Sequence, residues 1–127
     1  YYTLRESDAF RHFDDSIGAV CDFDRRDYLF EIPYRALVKT GYRNIITAGR
    51  SAAGDGYAWD VIRVIPPAAI TGQAAGIAVA HAIDESCAVC DVRIGILQRA
   101  LEERGVLIHF DDADVPETVS DVHEYND

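Results

Sequence analysis

The sequence predicts an α/β fold in which short strands surround one buried helix rich in Ala and Gly. Three observations carry that prediction. Residues 64–83, reading VIPPAAITGQAAGIAVAHAI, contain no formal charge, and that length suits a helix of about five turns. Tyr28–Ile32 and Asn44–Ala48 are short runs rich in β-branched or aromatic residues, the composition of strands. Ile94, Leu97 and Leu101 share one helical face ahead of Gly105, a natural stop.

Composition sets the limits. A chain of 127 residues and 14.1 kDa suits one compact domain. Hydrophobic residues at 49% and charged residues at 27% fit a packed core rather than a disordered chain. Twelve Lys and Arg against 22 Asp and Glu give a net charge of -10, which works against a phosphate backbone and makes nucleic acid an unexpected partner. Seven of the carboxylates, from Asp111 to Asp127, lie in residues 105–127 without a Lys or Arg. We therefore expect a domain over 1–110 and a solvated acidic tail over 111–127.

From the N-terminus, Ser7-Asp8 suits a helix start, and Ala9, Phe10, Phe13 and Ile17 recur at helical spacing before Gly18. A helix over 8–17 is expected. Asp22–Asp27 reads as a charged loop, and Tyr28–Ile32 as a strand ending at Pro33. Thr40-Gly41-Tyr42 reads as a turn. Asn44–Ala48 is continuously apolar enough to predict a central strand buried on both faces. The loop Arg50–Gly56 is small and polar, a suitable ligand lining, and Trp59, Val61 and Val64 predict an extended segment.

The uncharged stretch invites a membrane reading by length. Pro66-Pro67, Thr71, Gln73 and the predominance of Ala argue against it. Pro67 suits the first turn of a helix, and Gly72 and Gly76 predict close approach of another backbone or a flat ligand. A last helix follows, capped by Asp91 or a neighbour, and Val106–Ile108 is a short apolar finish.

Few residues suggest chemistry by themselves. Cys87 and Cys90 have dithiol spacing, but they lack a preceding strand and a second pair for zinc, so an interhelix loop is the plainer reading. The odd count of three cysteines leans towards a reducing compartment, the cytoplasm. His12, His81, His109 and His123 share no ligand spacing, and no metal site is expected. GxSxG, GxxxxGK, HExxH and GxGxxG are all absent. The chain contains no Met and opens on Tyr1, so we expect a piece of something longer.

The order EIPYRALV (31–38), NIITAGRS (44–51), RVIPPAAITGQAAGIAVA (63–80) and LQRALEERGVLI (97–108) resembles the C-terminal end of FAD-dependent oxidoreductases. These belong to the glutathione-reductase-like flavoprotein superfamily, and the resemblance is to a broad bacterial group within it. It implies a C-terminal fragment of an FAD-binding, Rossmann-like domain that takes part in hydride or electron transfer. It also implies that Gly49 and Arg50 lie beside the FAD pyrophosphate and ribityl chain, with Thr71, Gly72 and Gln73 near the flavin pyrimidine edge. Arg63, just before the helix, is expected to contribute to the same pocket. A helix start there would offer free N–H groups to negative charge on reduced flavin. The competing reading of the arginines is that they neutralise Asp55 and Asp60. The family's Gly-rich fingerprint lies in its N-terminal part, so FAD binding by this chain alone is expected to be weak or absent. The expected partners are FAD, the N-terminal part of a parent flavoprotein and a small-molecule substrate. The alternative is a small acidic α/β module that binds a protein and catalyses nothing.

Overall fold

The computed structural model describes residues 1–25 and 28–117. Two strands, β1 (Ser16–Cys21) and β2 (Leu29–Pro33), form an antiparallel pair, followed by three helices: α1 (Gly56–Ile62), α2 (Ile65–Asp84) and α3 (Ile94–Glu102). Part of the charged 22–27 loop and the tail beyond residue 117 fall outside the described residues.

The β2 strand matches its sequence signal. Its partner was expected to be helical. Instead a 3-10 turn at Glu6–Asp8 ends early, Phe10 takes φ +61°, and the chain is extended by Ser16. The Asp8 carboxylate receives the Arg5 backbone N–H at 2.9 Å and the Tyr2 hydroxyl at 2.6 Å, closing the turn locally. Pairing of Ala19 with Glu31 and Val20 with Phe30 then outweighs the helical spacing. Of the two Phe side chains expected to be buried, Phe13 is buried and Phe10 only half-buried; Phe13 and Ile17 reach the core from a loop and a strand.

Residues 44–48 do not form a central strand. Gly41, at φ +84°, turns the chain back, and Ile46 makes only an isolated antiparallel bridge to Val38. Ile45 is 49% exposed because no second strand flanks it among the described residues. The expected extended segment at 59–64 is mostly helix α1, whose buried Ala58, Val61 and Ile62 follow helical spacing.

The prolines are placed as the sequence predicts, in the first turn of α2. One stripe of that helix is buried, formed by Pro67, Thr71, Ala74, Ala78 and Ala82. The opposite stripe, Ile65, Ala69, Gly72, Gly76, Ala80 and Ile83, is exposed, so the expected burial of this helix holds for one face only. A Cβ added at Gly72 or Gly76 would meet no atom within 4 Å. The close approach lies at Gly18, where an added Cβ would stand 2.6 Å from Ile70 Cγ2 as α2 crosses β1. No single described helix is long and apolar enough to cross a membrane, and α1 meets α2 at a 79° bend.

Helix α3 follows its pattern, burying Leu97 and Leu101, each contributing roughly 1.5–3 kcal/mol. Its N-cap is Arg93 rather than Asp91, and Gly105 at φ +82° reverses the chain. Residues 106–110 then return along β1. The Ala19 N–H donates to the Leu107 carbonyl at 2.7 Å, and Ser16 Oγ to the Ile108 carbonyl at 2.6 Å.

Candidate functional site

Gly49 and Thr71 meet where a 3-10 turn, Gly49–Ser51, rests on α2. Gly49 takes φ +58°, a conformation that a side chain would strain. Its N–H donates to Thr71 Oγ1 at 2.8 Å, and the Thr71 hydroxyl faces the Pro67 and Ala68 carbonyls, each at 3.0 Å. Thr71 is fully buried and its hydroxyl is satisfied, so it pins the turn against α2.

That pinned turn presents Arg50 to solvent. Its guanidinium makes no ion pair among the described residues, while its carbonyl accepts the Trp59 indole N–H at 3.4 Å. Arg63 differs. It donates to Asp60 at 2.8 Å and lies 5.1 Å over the Trp59 ring. The neutralising reading therefore fits Arg63 and not Arg50, although Trp59 touches both. Gly72 is exposed, and half-buried Gln73 makes no side-chain hydrogen bond among the described residues.

The electrostatics of the helix start need correcting. Helix α2 begins at Ile65, so Thr71, Gly72 and Gln73 lie in its second and third turns, where their N–H groups belong to the helical ladder. Pro66 and Pro67 remove two of the donors that the first turn would otherwise offer. Arg50, rather than a row of free amides, is the cation here without an ion pair among the described residues, Arg63 being held by Asp60.

A family model described as FAD dependent oxidoreductase matches residues 12–101. The chain belongs to that family. No curated protein and no solved structure matches it. The family implies FAD as cofactor, and the matched span holds β1, β2, the Gly49–Thr71 junction and all of α2. An exposed arginine on a fixed turn, with no ion pair among the described residues, fits a pyrophosphate, and the open face at Gly72 leaves room for a flat ring.

Tyr34 and Arg35, polar enough by sequence to reach a substrate, are engaged elsewhere. The Tyr34 hydroxyl is buried and donates to the Val89 carbonyl at 2.6 Å. Arg35 pairs with Asp15 at 3.2 Å and lies over Tyr2. Tyr34 thereby holds the segment containing Cys87 and Cys90, both free thiols, as an ordinary connection between α2 and α3. Removing the hydroxyl in Tyr34→Phe is expected to cost about 1–2 kcal/mol at neutral pH, since the Val89 carbonyl loses its donor. Burial also pushes the Tyr34 hydroxyl well above its ordinary value. A phenol raised on folding contributes stability that is complete below about pH 10 and is lost as pH rises towards the folded-state value. Denaturant unfolding against pH should show a shallower alkaline loss in Tyr34→Phe.

The fold also gathers residues that sequence spacing left apart. Glu31 on β2 is fully buried, and its Oε2 accepts the Phe13 N–H at 2.7 Å. Its Oε1 faces Nδ1 of His12 at 2.6 Å and Nδ1 of His109 at 2.9 Å. Nε2 of His12 faces Asp112 Oδ1 at 2.9 Å, and bonds to Asp112 and Glu31 raise its imidazole above the ordinary value. Separations of 19 and 78 residues from Glu31 left no local motif to find.

Proposed function

We propose that this chain forms one wall of the flavin pocket of an FAD-dependent oxidoreductase that transfers a hydride or electrons to or from a small-molecule substrate. Bound FAD supplies the electron-accepting ring. The chain supplies position and charge. Arg50 pairs with the cofactor phosphates, Gly49 and Thr71 hold the Arg50 turn against α2, and Gly72 and Gln73 face the ring. Arg63 acts at the margin, through Trp59. The observation that carries this reading is the exposed Arg50, without an ion pair among the described residues, on a turn fixed by the 2.8 Å Gly49–Thr71 hydrogen bond.

The opposite wall belongs to the N-terminal part of a parent flavoprotein carrying the GxGxxG loop, which these 127 residues lack. The uncharged exposed stripe of α2 from Ile65 to Ile83 is the surface that part would cover. We place the assembly in the cytoplasm, without nucleic acid or membrane as partner.

In the parent flavoprotein, Arg50→Ala is expected to weaken FAD binding about ten- to a hundredfold, the loss of a charge-assisted contact. Cys90→Ala should leave it unchanged. The 127-residue chain alone should purify colourless. Equal FAD dissociation constants for Arg50→Ala and the unmodified parent would remove Arg50 from the pocket and favour a noncatalytic interaction module.

A further inference from the structure

We propose that His12, Glu31 and His109 form a binding site for a divalent transition-metal cation, with zinc(II) as the best fit. The three side chains offer two imidazole nitrogens and one carboxylate oxygen, all within 4.8 Å of one another. Two His and one carboxylate is a donor set suited to zinc, whereas calcium and magnesium prefer oxygen alone.

The geometry converges on one point. Glu31 is held by the Phe13 N–H through Oε2, so Oε1 is fixed facing both rings, 2.6 Å from His12 Nδ1 and 2.9 Å from His109 Nδ1. Tetrahedral zinc with bonds of about 2.0–2.1 Å sets its donors about 3.3 Å apart. Binding therefore needs the His109 pair to open by about 0.4 Å and the His12 pair by about 0.7 Å. The His12 and His109 side chains are 41% and 47% exposed, which gives them room to adjust and lets water complete the coordination. Zinc would take the place of the hydrogen on each Nδ1: a neutral ring only changes tautomer, carrying its proton on Nε2, and a ring bound as imidazolium gives one proton to the buffer.

A further observation points to the same ligand. His12 presents its far nitrogen, Nε2, to Asp112 at 2.9 Å. A carboxylate behind a histidine fixes the ring and turns the other nitrogen towards a metal. The site would join the loop before β1, strand β2 and the segment after α3, clamping pieces of chain far apart in sequence. His109 and Asp112 lie beyond the family match, which ends at residue 101. His12 and Glu31 lie within that span, so the matched residues alone do not complete the site, and it does not depend on the flavin reading.

The test is zinc chloride titrated by calorimetry into the chelator-treated 127-residue protein, with thermal unfolding in parallel. One-to-one binding is expected, with a melting temperature that climbs with zinc concentration and does not respond to magnesium. Cobalt(II) should give the intense visible bands of a low-coordinate site. His12→Gln and His109→Ala should each weaken zinc at least tenfold, and the exposed Asp112→Asn about tenfold to a hundredfold with stoichiometry kept. Cys87→Ser with Cys90→Ser should change nothing. Absence of saturable zinc binding overturns the site, as does binding that survives the double histidine variant or follows the cysteines. In those cases the cluster is a hydrogen-bonded clasp only.

Discussion

Glu31→Ala is expected to destabilise the zinc-free chain by about 2–4 kcal/mol in denaturant unfolding. The carboxylate is fully buried and satisfies three donors from two distant parts of the chain, the Phe13 N–H and His12 from one and His109 from the other. Alanine leaves the Phe13 amide with no acceptor, and an unpaired buried donor costs about 1–3 kcal/mol. The two rings also lose the group that draws residues 12 and 109 onto β2, while a void opens beside buried Phe13. Glu31→Gln separates these contributions. It keeps the volume and an acceptor for Phe13 but loses the charge, so its cost should be about half that of alanine. Stability of Glu31→Ala within about 0.5 kcal/mol of the unmodified chain would show that water replaces the carboxylate without penalty.

The sequence is readable where structure is locally encoded. Tyr28–Ile32 is bounded by Pro33, α3 has a clear apolar face, and the prolines in the first turn of α2 mark its beginning. It misleads where one spacing serves two structures. Phe13 and Ile17 stand four apart, as in a helix, yet both reach the core from non-helical backbone once β2 offers β1 a partner. Trp59 and Val61 alternate as in a strand, while the buried set Ala58, Val61 and Ile62 is helical. Residues 44–48 look like an interior strand, but among the described residues they form only one isolated bridge, Ile46 to Val38, with Thr47 bonded to the Leu37 carbonyl. For the candidate site, resemblance alone brought AGR and TGQAAG together, and the Gly49–Thr71 hydrogen bond gives that pairing a physical form. Nothing local links His12 to His109, because only the return of residues 106–110 along β1 joins them.

Gly18→Val is expected to destabilise the chain by about 1–3 kcal/mol or more, whereas Gly72→Leu on the same helix–strand unit should not. The sequence suggests the reverse, since Gly72 and Gly76 form the conspicuous pair and Gly18 looks like a helix stop. The contacts decide it. A first carbon at position 18 would already stand 2.6 Å from Ile70 Cγ2 and 3.5 Å from Val106 Cγ1. Ile70 cannot readily move away, because its β-branched side chain has one favoured rotamer in a helix. Valine adds two methyl groups to that contact, so α2 must lift from β1 or the strand must bend. At Gly72 an added Cβ meets nothing within 4 Å, and replacing glycine in a helix interior gains up to about 1 kcal/mol of propensity. The two substitutions should separate again in the parent flavoprotein. There Gly72→Leu is expected to lower FAD retention without lowering the stability of the isolated 127-residue chain, because leucine would occupy the open face that the ring needs. Unfolding of Gly18→Val, Gly72→Leu and the unmodified chain, with FAD retention in the parent, tests both halves. A Gly18→Val chain as stable as the unmodified one would show that α2 does not press on β1 at this point. Full FAD retention in Gly72→Leu would move the flavin off the exposed stripe of α2.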